Sequence, residues 1–270
     1  MPELPEVETI ARGLNQRVAG DLIESVWVGS KPEPLKSPAR AIVRTLEGAA
    51  IERVQRVGKH IVFDLRAPRR NEVSQWIVHL GMTGRMLVCT PATEPAKHTH
   101  LVAQLKSGRE LRFIDPRRFG RLEVRQQQFR GPGTEPLQVS VADFSALFHK
   151  SKAPIKAALL NQKFLHGVGN IYADESLFRA GVRPRRRANS LTRAELARLH
   201  AALQEVLNEA IAAGGSSVSD YVDAGGEEGF FQLQHRAYGR ENEPCLVCKT
   251  PIKKIVVAGR GTHYCPKCQK

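Results

Sequence analysis

The residue types best suited to chemistry stand near the two ends of the chain. Pro2 follows the initiator methionine, and a small residue at that position usually lets the methionine be removed. Pro2 would then carry a free secondary amine that titrates near the α-amino range of about 7.7 to 8.0. Such an amine attacks aldehydic carbons and forms iminium adducts. The chain therefore offers a candidate nucleophile at Pro2, next to the carboxylate of Glu3.

A helix is predicted directly behind these two residues. Apolar residues recur there at steps of three and four, as on one face of a helix: Val7, Ile10, Ala11, Leu14 and Val18. The positive end of the helix dipole favours an unprotonated amine at Pro2, whereas the carboxylates of Glu3, Glu6 and Glu8 favour a protonated one. These opposing effects leave the pKa of the amine open. A simpler interpretation is that a proline and acidic residues cap an ordinary helix.

The other end of the chain carries a metal-binding pattern. Four of the five cysteines lie in the last 26 residues, as two Cys-x-x-Cys pairs with sixteen residues between them. Such pairs place four thiolates tetrahedrally around zinc, and four protein ligands leave no position for a catalytic water. The spacing therefore predicts one structural Zn²⁺ ion. Its predicted ligands are Cys245, Cys248, Cys265 and Cys268.

Between the cysteine pairs, the spacing predicts a basic, hairpin-like insert. Its tip is Gly259-Arg260-Gly261, and a cationic tip of this kind suits a phosphate backbone.

The secondary-structure elements that must position these groups differ between the two halves of the chain. Short apolar runs with alternating polar residues fill the first half and predict a β-sandwich or barrel: 22–28, 51–57, 60–65, 75–80, 85–89, 101–105, 110–114 and 121–124. Gly131-Pro132-Gly133 marks the change from the strand pattern to the helical pattern. Helical periodicity returns near Asp143 and continues through residues 199–211.

Two further helices are predicted at residues 155–165 and 171–179. The turn between them, 166–170, contains Gly167 and Gly169 and ends at Asn170. Helices joined in this way are typical of a helix-turn-helix variant, whose turn amides and Asn170 side chain suit a phosphate. The alternative is an ordinary glycine helix cap. A Walker loop is excluded, because Gly-Lys-Ser/Thr does not follow.

The composition favours a polyanionic partner. The 270 residues include 41 lysines and arginines against 27 acids, a net charge of +14. Each phosphate that such a surface neutralises releases condensed counterions. Charge alone also suits ribosomal RNA or an anionic membrane. Because no long apolar run or signal peptide is found, we expect a cytoplasmic protein with no membrane segment.

Motifs along nearly the whole chain resemble the formamidopyrimidine-DNA glycosylase family. They are residues 1–8, 58–60, 79–82, 97–100, 115–120, 167–175, 220–221, 229–231, 238–240 and the cysteine pairs. The resemblance implies an α+β multidomain fold: an N-terminal catalytic β-sandwich domain with a leading helix (1–130), a linker (131–150), a helical DNA-binding domain with a helix-two-turn-helix (151–237) and a zinc finger (238–270).

The resemblance also implies an activity. The family is bifunctional: it excises oxidised purines such as 8-oxoguanine and formamidopyrimidines, and then nicks the strand by β,δ-elimination. Pro2 would be the nucleophile at the deoxyribose C1′ and Glu3 the acid on the ring oxygen, with Glu6 in support. Lys59 would serve β-elimination and Arg260 δ-elimination. Ordinary surface charge is the alternative reading of these two cations.

The expected partner is damaged double-stranded DNA, bound by a monomer. The resemblance implies that Met82, Arg117 and Phe119 fill the gap left by an everted base, and that His98, Lys152, the neighbouring Ser151 and Asn170 contact DNA. The family usually has a basic residue at the position of Ser151. The alternative for Met82 and Phe119 is that they belong to the core.

Two competing functions stay open. One is a non-catalytic zinc-ribbon protein that binds nucleic acid, which would explain the charge and the cysteines but not Pro2-Glu3. The other is an endonuclease VIII-like glycosylase for oxidised pyrimidines, which typically has glycine where this chain has Leu4. The segment 214–217 carries serines where relatives commonly have threonine, so the lesion preference is not transferred.

Overall fold

The computed structural model describes residues 1–67, 72–218 and 221–270. Asp220, from the predicted Asp220-Tyr221 motif, lies outside the described residues. The chain forms two compact units. Unit 1 comprises Met1–Arg130 and Gly214–Phe230, and unit 2 comprises Gly131–Ala213 and Phe231–Lys270. The boundary after Arg130 falls at the predicted glycine-proline segment.

Unit 1 is a β-sandwich with a leading helix. Its elements are α1 (Leu4–Val18), β1 (Ile23–Val28), α2 (Ala39–Leu46), β2 (Ala50–Val57), β3 (His60–Ala67), β4 (Glu72–His79), β5 (Arg85–Cys89), β6 (Thr99–Leu105), β7 (Glu110–Ile114) and β8 (Arg121–Arg125). One antiparallel sheet has the order β1-β6-β7-β5 and the other β2-β3-β4-β8. All eight strands predicted from alternation are confirmed.

One apolar core joins α1 to both sheets. The predicted helical stripe, from Val7 to Val18, is buried in this core. Phe63 of β3 stacks on Trp76 of β4, with 4.6 Å between the ring centroids. Burying aromatic side chains of this size contributes strongly to stability. The start of α1, and therefore Pro2 and Glu3, is fixed by this packing.

A segment from late in the chain completes unit 1. Tyr221 and Ala224 lie in the core with α1, and the Tyr221 hydroxyl donates to the Gly214 carbonyl oxygen at 2.9 Å. Burial, and secondly the charge of Glu6, raises the pKa of Tyr221. Residues 214–230 thus differ from the predicted arrangement, in which they belong to a continuous helical domain 151–237.

Unit 2 is helical and ends in a hairpin. Its elements are α3 (Val141–His149), α4 (Ile155–Leu159), α5 (Asn170–Ala180), α6 (Arg193–Ala212), two short 3-10 helices (Ala188–Ser190 and Phe231–Gln234), β9 (Lys253–Val257) and β10 (Arg260–Tyr264). The predicted hairpin between the cysteine pairs is confirmed, but its turn is Ala258-Gly259, and Arg260 and Gly261 begin β10 instead of forming the tip. Among the described residues, none of the helices has the length and hydropathy that a membrane span needs.

Two boundaries in unit 2 differ from the sequence-based expectation. Helix α3 lies inside the predicted linker 131–150, because Ser140 caps it and Phe144 and Phe148 are buried. The helix expected over 155–165 ends at Leu159. The Gln162 amide then donates to the carbonyl oxygens of Leu160 and Val168, both at 2.9 Å, and stabilises a turn instead.

Candidate active site

The start of α1 holds two of the predicted catalytic residues. Pro2 is buried, and Glu3 is only 4% exposed at the N-cap position of the helix. The Glu6 carboxylate accepts the Glu3 backbone N–H at 2.8 Å and the Ser216 backbone N–H at 2.8 Å. Glu6 therefore fastens the loop that follows Ala213 to the residues beside Pro2.

Glycines make this close approach possible. Gly215 has a φ of +85°, and a Cβ there would lie 3.0 Å from the Glu6 Cγ. A Cβ on Gly229 would lie 2.4 Å from the carbonyl oxygens of Gly214 and Gly215. Because real side chains do not tolerate such contacts, only glycine lets segments 214–217 and 229–230 pack together.

Lys59 lies in a tight turn of the same unit. Val57 pairs with His60, so Gly58 and Lys59 form a two-residue hairpin turn between β2 and β3. Gly58 has a φ of +58°, and glycine at the first turn position is typical of a type II′ hairpin. Lys59 is only 7% exposed. Its burial disagrees with the reading of Lys59 as an ordinary solvated surface charge.

Met82, Arg117 and Phe119 project from two neighbouring loops. Met82 is 41% exposed and Phe119 is 49% exposed, so neither is a core residue. The Arg117 guanidinium lies over the Phe119 ring, 4.7 Å from its centroid. The loops touch, because a Cβ on Gly81 would lie 2.5 Å from the Phe119 carbonyl carbon.

Buried Asp115 organises these loops. It accepts the Gly120 backbone N–H at 2.7 Å and the Thr83 hydroxyl at 2.6 Å, so it ties one loop to the other. The Asp115 backbone N–H donates to the carbonyl oxygen of exposed His98 at 3.0 Å. The structure thus brings His98 next to the loop of Arg117 and Phe119. The contribution of Thr83 was not predicted, since an isolated threonine gives no sequence signal.

In unit 2, the start of α5 is joined to the hairpin that carries Arg260. Asn170 Nδ2 donates to the Gly261 carbonyl oxygen at 3.0 Å. The Lys156 ammonium donates to the same oxygen at 2.9 Å and pairs with Asp174 at 2.7 Å, with both charged side chains fully buried. Asn170 and the exposed Arg260 are therefore held near each other. Sequence reasoning missed Lys156 and Asp174.

Ser151 and Lys152 lie elsewhere in unit 2, in the connection between α3 and α4. The Ser151 backbone N–H donates to the Phe148 carbonyl oxygen at 2.9 Å and ends α3. Ser151 is half-buried, whereas Lys152 is exposed. Of these two residues, Lys152 has the charge and exposure that a phosphate contact requires.

The four predicted ligands meet at one point. Cys245, Cys248, Cys265 and Cys268 place their Sγ atoms within 4.8 Å of one another. The Cys248–Cys265 pair is 3.4 Å apart and the Cys245–Cys268 pair 3.9 Å apart. A tetrahedral ion with metal–sulfur bonds of about 2.3 Å needs sulfur atoms about 3.8 Å apart, so the donor set fits such an ion.

Packing and a buried carboxylate hold the metal-binding segment. Phe178, Ala237 and Ile252 pack with Cys245 and Cys265. Glu175 of α5 accepts three consecutive backbone N–H groups, those of Arg236 at 2.9 Å and of Ala237 and Tyr238 at 2.8 Å. Burial raises the pKa of Glu175, although the three hydrogen bonds lower it.

Three family models match consecutive parts of the chain. The formamidopyrimidine-DNA glycosylase N-terminal domain matches residues 1–122, and the formamidopyrimidine-DNA glycosylase H2TH domain matches residues 131–222. The zinc finger found in FPG and IleRS matches residues 242–270.

Relatives are similar over the whole chain. Formamidopyrimidine-DNA glycosylases from Solibacter usitatus and Listeria monocytogenes are 43% and 42% identical, with 100% of both chains covered in each comparison. The crystal structure of MutM (Fpg) from Thermus thermophilus has a TM-score of 0.84 at 42% identity, covering 99% of this chain and 98% of that one. A Lactococcus lactis FPG mutant in complex with Fapy-dG-containing DNA has a TM-score of 0.89 at 33% identity, with both chains fully covered.

Proposed function

The chain belongs to the formamidopyrimidine-DNA glycosylase family, and from this premise we propose that it is a bifunctional DNA glycosylase and abasic-site lyase of base excision repair. Its proposed substrates are oxidised purines, 8-oxoguanine and formamidopyrimidines, in double-stranded DNA. One observation carries the proposal: a buried Pro2-Glu3 pair directly precedes α1, with Glu3 at the N-cap, and the Glu6 carboxylate accepts the Glu3 backbone N–H.

The proposed reaction starts at Pro2. After removal of Met1, the Pro2 secondary amine attacks the deoxyribose C1′ and the damaged base leaves. Glu3 protonates the ring oxygen, so the sugar opens and an iminium forms between C1′ and the Pro2 nitrogen. Loss of a C2′ proton then breaks the bond to the 3′ phosphate, with Lys59 assigned to this β-elimination. Arg260 is assigned to the δ-elimination that releases the 5′ phosphate.

The other site residues are assigned to holding the DNA. Met82, Arg117 and Phe119 fill the space of the everted base, since an apolar side chain wedges between base pairs and arginine hydrogen-bonds the orphaned base. His98, Lys152 and Asn170 contact the phosphate backbone, and Ser151 is the weakest member of this set. One structural Zn²⁺ on Cys245, Cys248, Cys265 and Cys268 would hold the hairpin that carries Arg260. We propose that the protein acts as a monomer on chromosomal DNA in the cytoplasm.

The wedge assignment predicts a selective defect in a Phe119→Ala variant. We expect slower excision of a paired lesion, because eversion costs a few kcal/mol that the ring no longer offsets. A pre-formed abasic site should be processed with a smaller loss. Stability should change by no more than about 0.5 kcal/mol, whereas a buried Phe→Ala costs about 3 to 5 kcal/mol. Single-turnover excision and thermal melting measure these two effects.

Trp27 gives the matched control for this variant. It is an aromatic residue of the same unit, 55% exposed and outside the two loops. Trp27→Ala should excise paired lesions at the parental rate. Undiminished excision of a paired lesion by Phe119→Ala, or a loss of stability of several kcal/mol, would contradict the assignment of Phe119 as a side chain that wedges between base pairs.

The test of the function itself is borohydride trapping on matched duplexes that contain either 8-oxoguanine or an oxidised pyrimidine. We expect a covalent adduct with the 8-oxoguanine duplex and with a duplex that contains a pre-formed abasic site. The 8-oxoguanine duplex should be processed faster than the oxidised-pyrimidine duplex. Faster processing of the pyrimidine duplex would favour the endonuclease VIII-like alternative; a Lactococcus lactis FPG structure also contains oxidised-pyrimidine DNA. Binding with no adduct and no nicking would favour the non-catalytic zinc-ribbon alternative.

A further inference from the structure

The Glu8 carboxylate links α1 to the neighbouring sheet. Glu8 lies in the second turn of α1, on the helix that begins at Leu4. One carboxylate oxygen accepts a hydrogen bond from Arg12 Nε at 2.7 Å, and the other accepts one from Arg56 Nε at 2.7 Å. Arg12 belongs to the same helix, whereas Arg56 belongs to β2. Of these two hydrogen bonds, only the one between Glu8 and Arg56 therefore connects two elements of unit 1.

The two arginines differ in burial. The Arg12 side chain is 62% exposed, whereas the Arg56 side chain is 7% exposed. Exposed ion pairs are screened by water and contribute little to structure. A buried guanidinium with a carboxylate partner is held in a fixed geometry, because its planar fork has few alternative arrangements. The Glu8–Arg56 pair can therefore fix a position, which the Glu8–Arg12 pair does not do.

Arg56 also reaches the turn that carries Lys59. Its Nη1 donates to the Gly58 carbonyl oxygen at 3.2 Å. That carbonyl belongs to the peptide bond between Gly58 and Lys59, so the hydrogen bond acts on the backbone of Lys59 itself. The hydrogen-bonded path runs from Glu8 on α1, through the Arg56 guanidinium, to the Lys59 backbone.

A second contact fixes the same two elements farther along. Asn15 Oδ1 of α1 accepts the backbone N–H of Val54 at 2.8 Å. Two polar contacts at different points along α1 therefore set both the distance and the register between α1 and β2. The Glu8–Arg56 contact is the one nearer to Pro2, Glu3 and the turn of Lys59.

We propose that Glu8 and Arg56 are positioning residues for Lys59, which hold its turn in a fixed place relative to the start of α1. The inference rests on the proposed role of Lys59 in strand nicking. Lys59 is only 7% exposed, so its surroundings limit how far the side chain can compensate for a shift of its backbone. A misplacement of about 1 Å at a reacting group costs on the order of a hundredfold in rate.

The test compares Arg56→Gln and Glu8→Gln with Arg12→Gln as the matched control. Arg12→Gln removes an arginine from the same carboxylate but leaves the path to Lys59 intact. On a pre-formed abasic site, we expect Arg56→Gln and Glu8→Gln to nick about tenfold to a hundredfold more slowly. Arg12→Gln should nick at the parental rate. Borohydride trapping should keep its parental rate in all three variants, because Pro2 forms the adduct.

A double-mutant cycle separates this inference from the proposed function. Lys59→Ala should slow nicking, and Lys59→Ala with Arg56→Gln should be no slower than Lys59→Ala alone. If Lys59→Ala slows nicking and Arg56→Gln does not, only the positioning role is overturned. If Lys59→Ala nicks at the parental rate, the assigned role of Lys59 fails and this inference fails with it.

Two further measurements distinguish a loss of fold from a loss of positioning. Thermal melting and affinity for an abasic-site analogue are measured for every variant. Arg56→Lys keeps the positive charge and loses the fork, so it should nick slowly at unchanged affinity. Parallel losses of trapping, affinity and nicking in Arg56→Gln, Arg56→Lys and Glu8→Gln would indicate a general structural role and overturn the inference.

Discussion

A protein that retains Met1, or carries an N-terminal tag, should form no borohydride-reducible adduct with lesion-bearing DNA. In either form the Pro2 nitrogen belongs to an amide, whose lone pair is delocalised and does not attack C1′. We expect no adduct at all, because the proposed reaction has no nucleophile other than Pro2.

The measurement uses one preparation divided in two. The tagged protein, with its tag verified by mass spectrometry, is compared with the same protein after cleavage to a Pro2 N-terminus. Both should bind an abasic-site analogue with comparable affinity, since most of the affinity comes from phosphate contacts. Only the cleaved protein should trap and nick. A trapped adduct from fully tagged protein would show that another amine is the nucleophile.

Much of unit 1 could be predicted because its strands follow local rules. The alternation of apolar and polar residues places all eight strands, and the stripe from Val7 to Val18 places α1. Helix α2 was not predicted, since eight residues with two buried side chains, Ile42 and Leu46, give too short a pattern. The helix 155–165 was predicted too long because the side-chain hydrogen bonds of Gln162 compete with the helix.

The sequence proposed the candidate site residues and the supporting residue Glu6, but it did not indicate the other groups that hold them in place. Pro2, Glu3 and the cysteines carry distinctive types at distinctive positions, whereas Lys59 is assigned only through the resemblance to the family. Lys156 and Asp174 give no such signal, because a lysine and an aspartate are expected on the surface unless their partner is known. The placement of Tyr221 in the core of unit 1 depends on a contact distant in sequence, which no local period reveals.

The second large effect is expected in a Glu3→Gln variant, which should lose base excision. The substitution keeps the size of the side chain and the Glu3 backbone N–H that Glu6 accepts. It removes the proton that the proposal delivers to the ring oxygen. General acid catalysis contributes roughly 100- to 10,000-fold, so single-turnover excision of 8-oxoguanine should fall by about this factor. Affinity for the lesion duplex should stay unchanged, because the acid acts in the transition state.

Glu6→Gln is the control that separates chemistry from support. The Glu6 carboxylate accepts two backbone N–H groups, and an amide offers only one acceptor oxygen, so a buried N–H faces an NH₂ group. Glu6→Gln should therefore lose thermal stability together with activity, whereas Glu3→Gln should lose activity alone. The sugar of a pre-formed abasic site opens without an enzyme, so Glu3→Gln should still trap such a site. A Glu3→Gln variant that loses stability, affinity and abasic-site trapping as Glu6→Gln does would place Glu3 among the structural residues of the helix start.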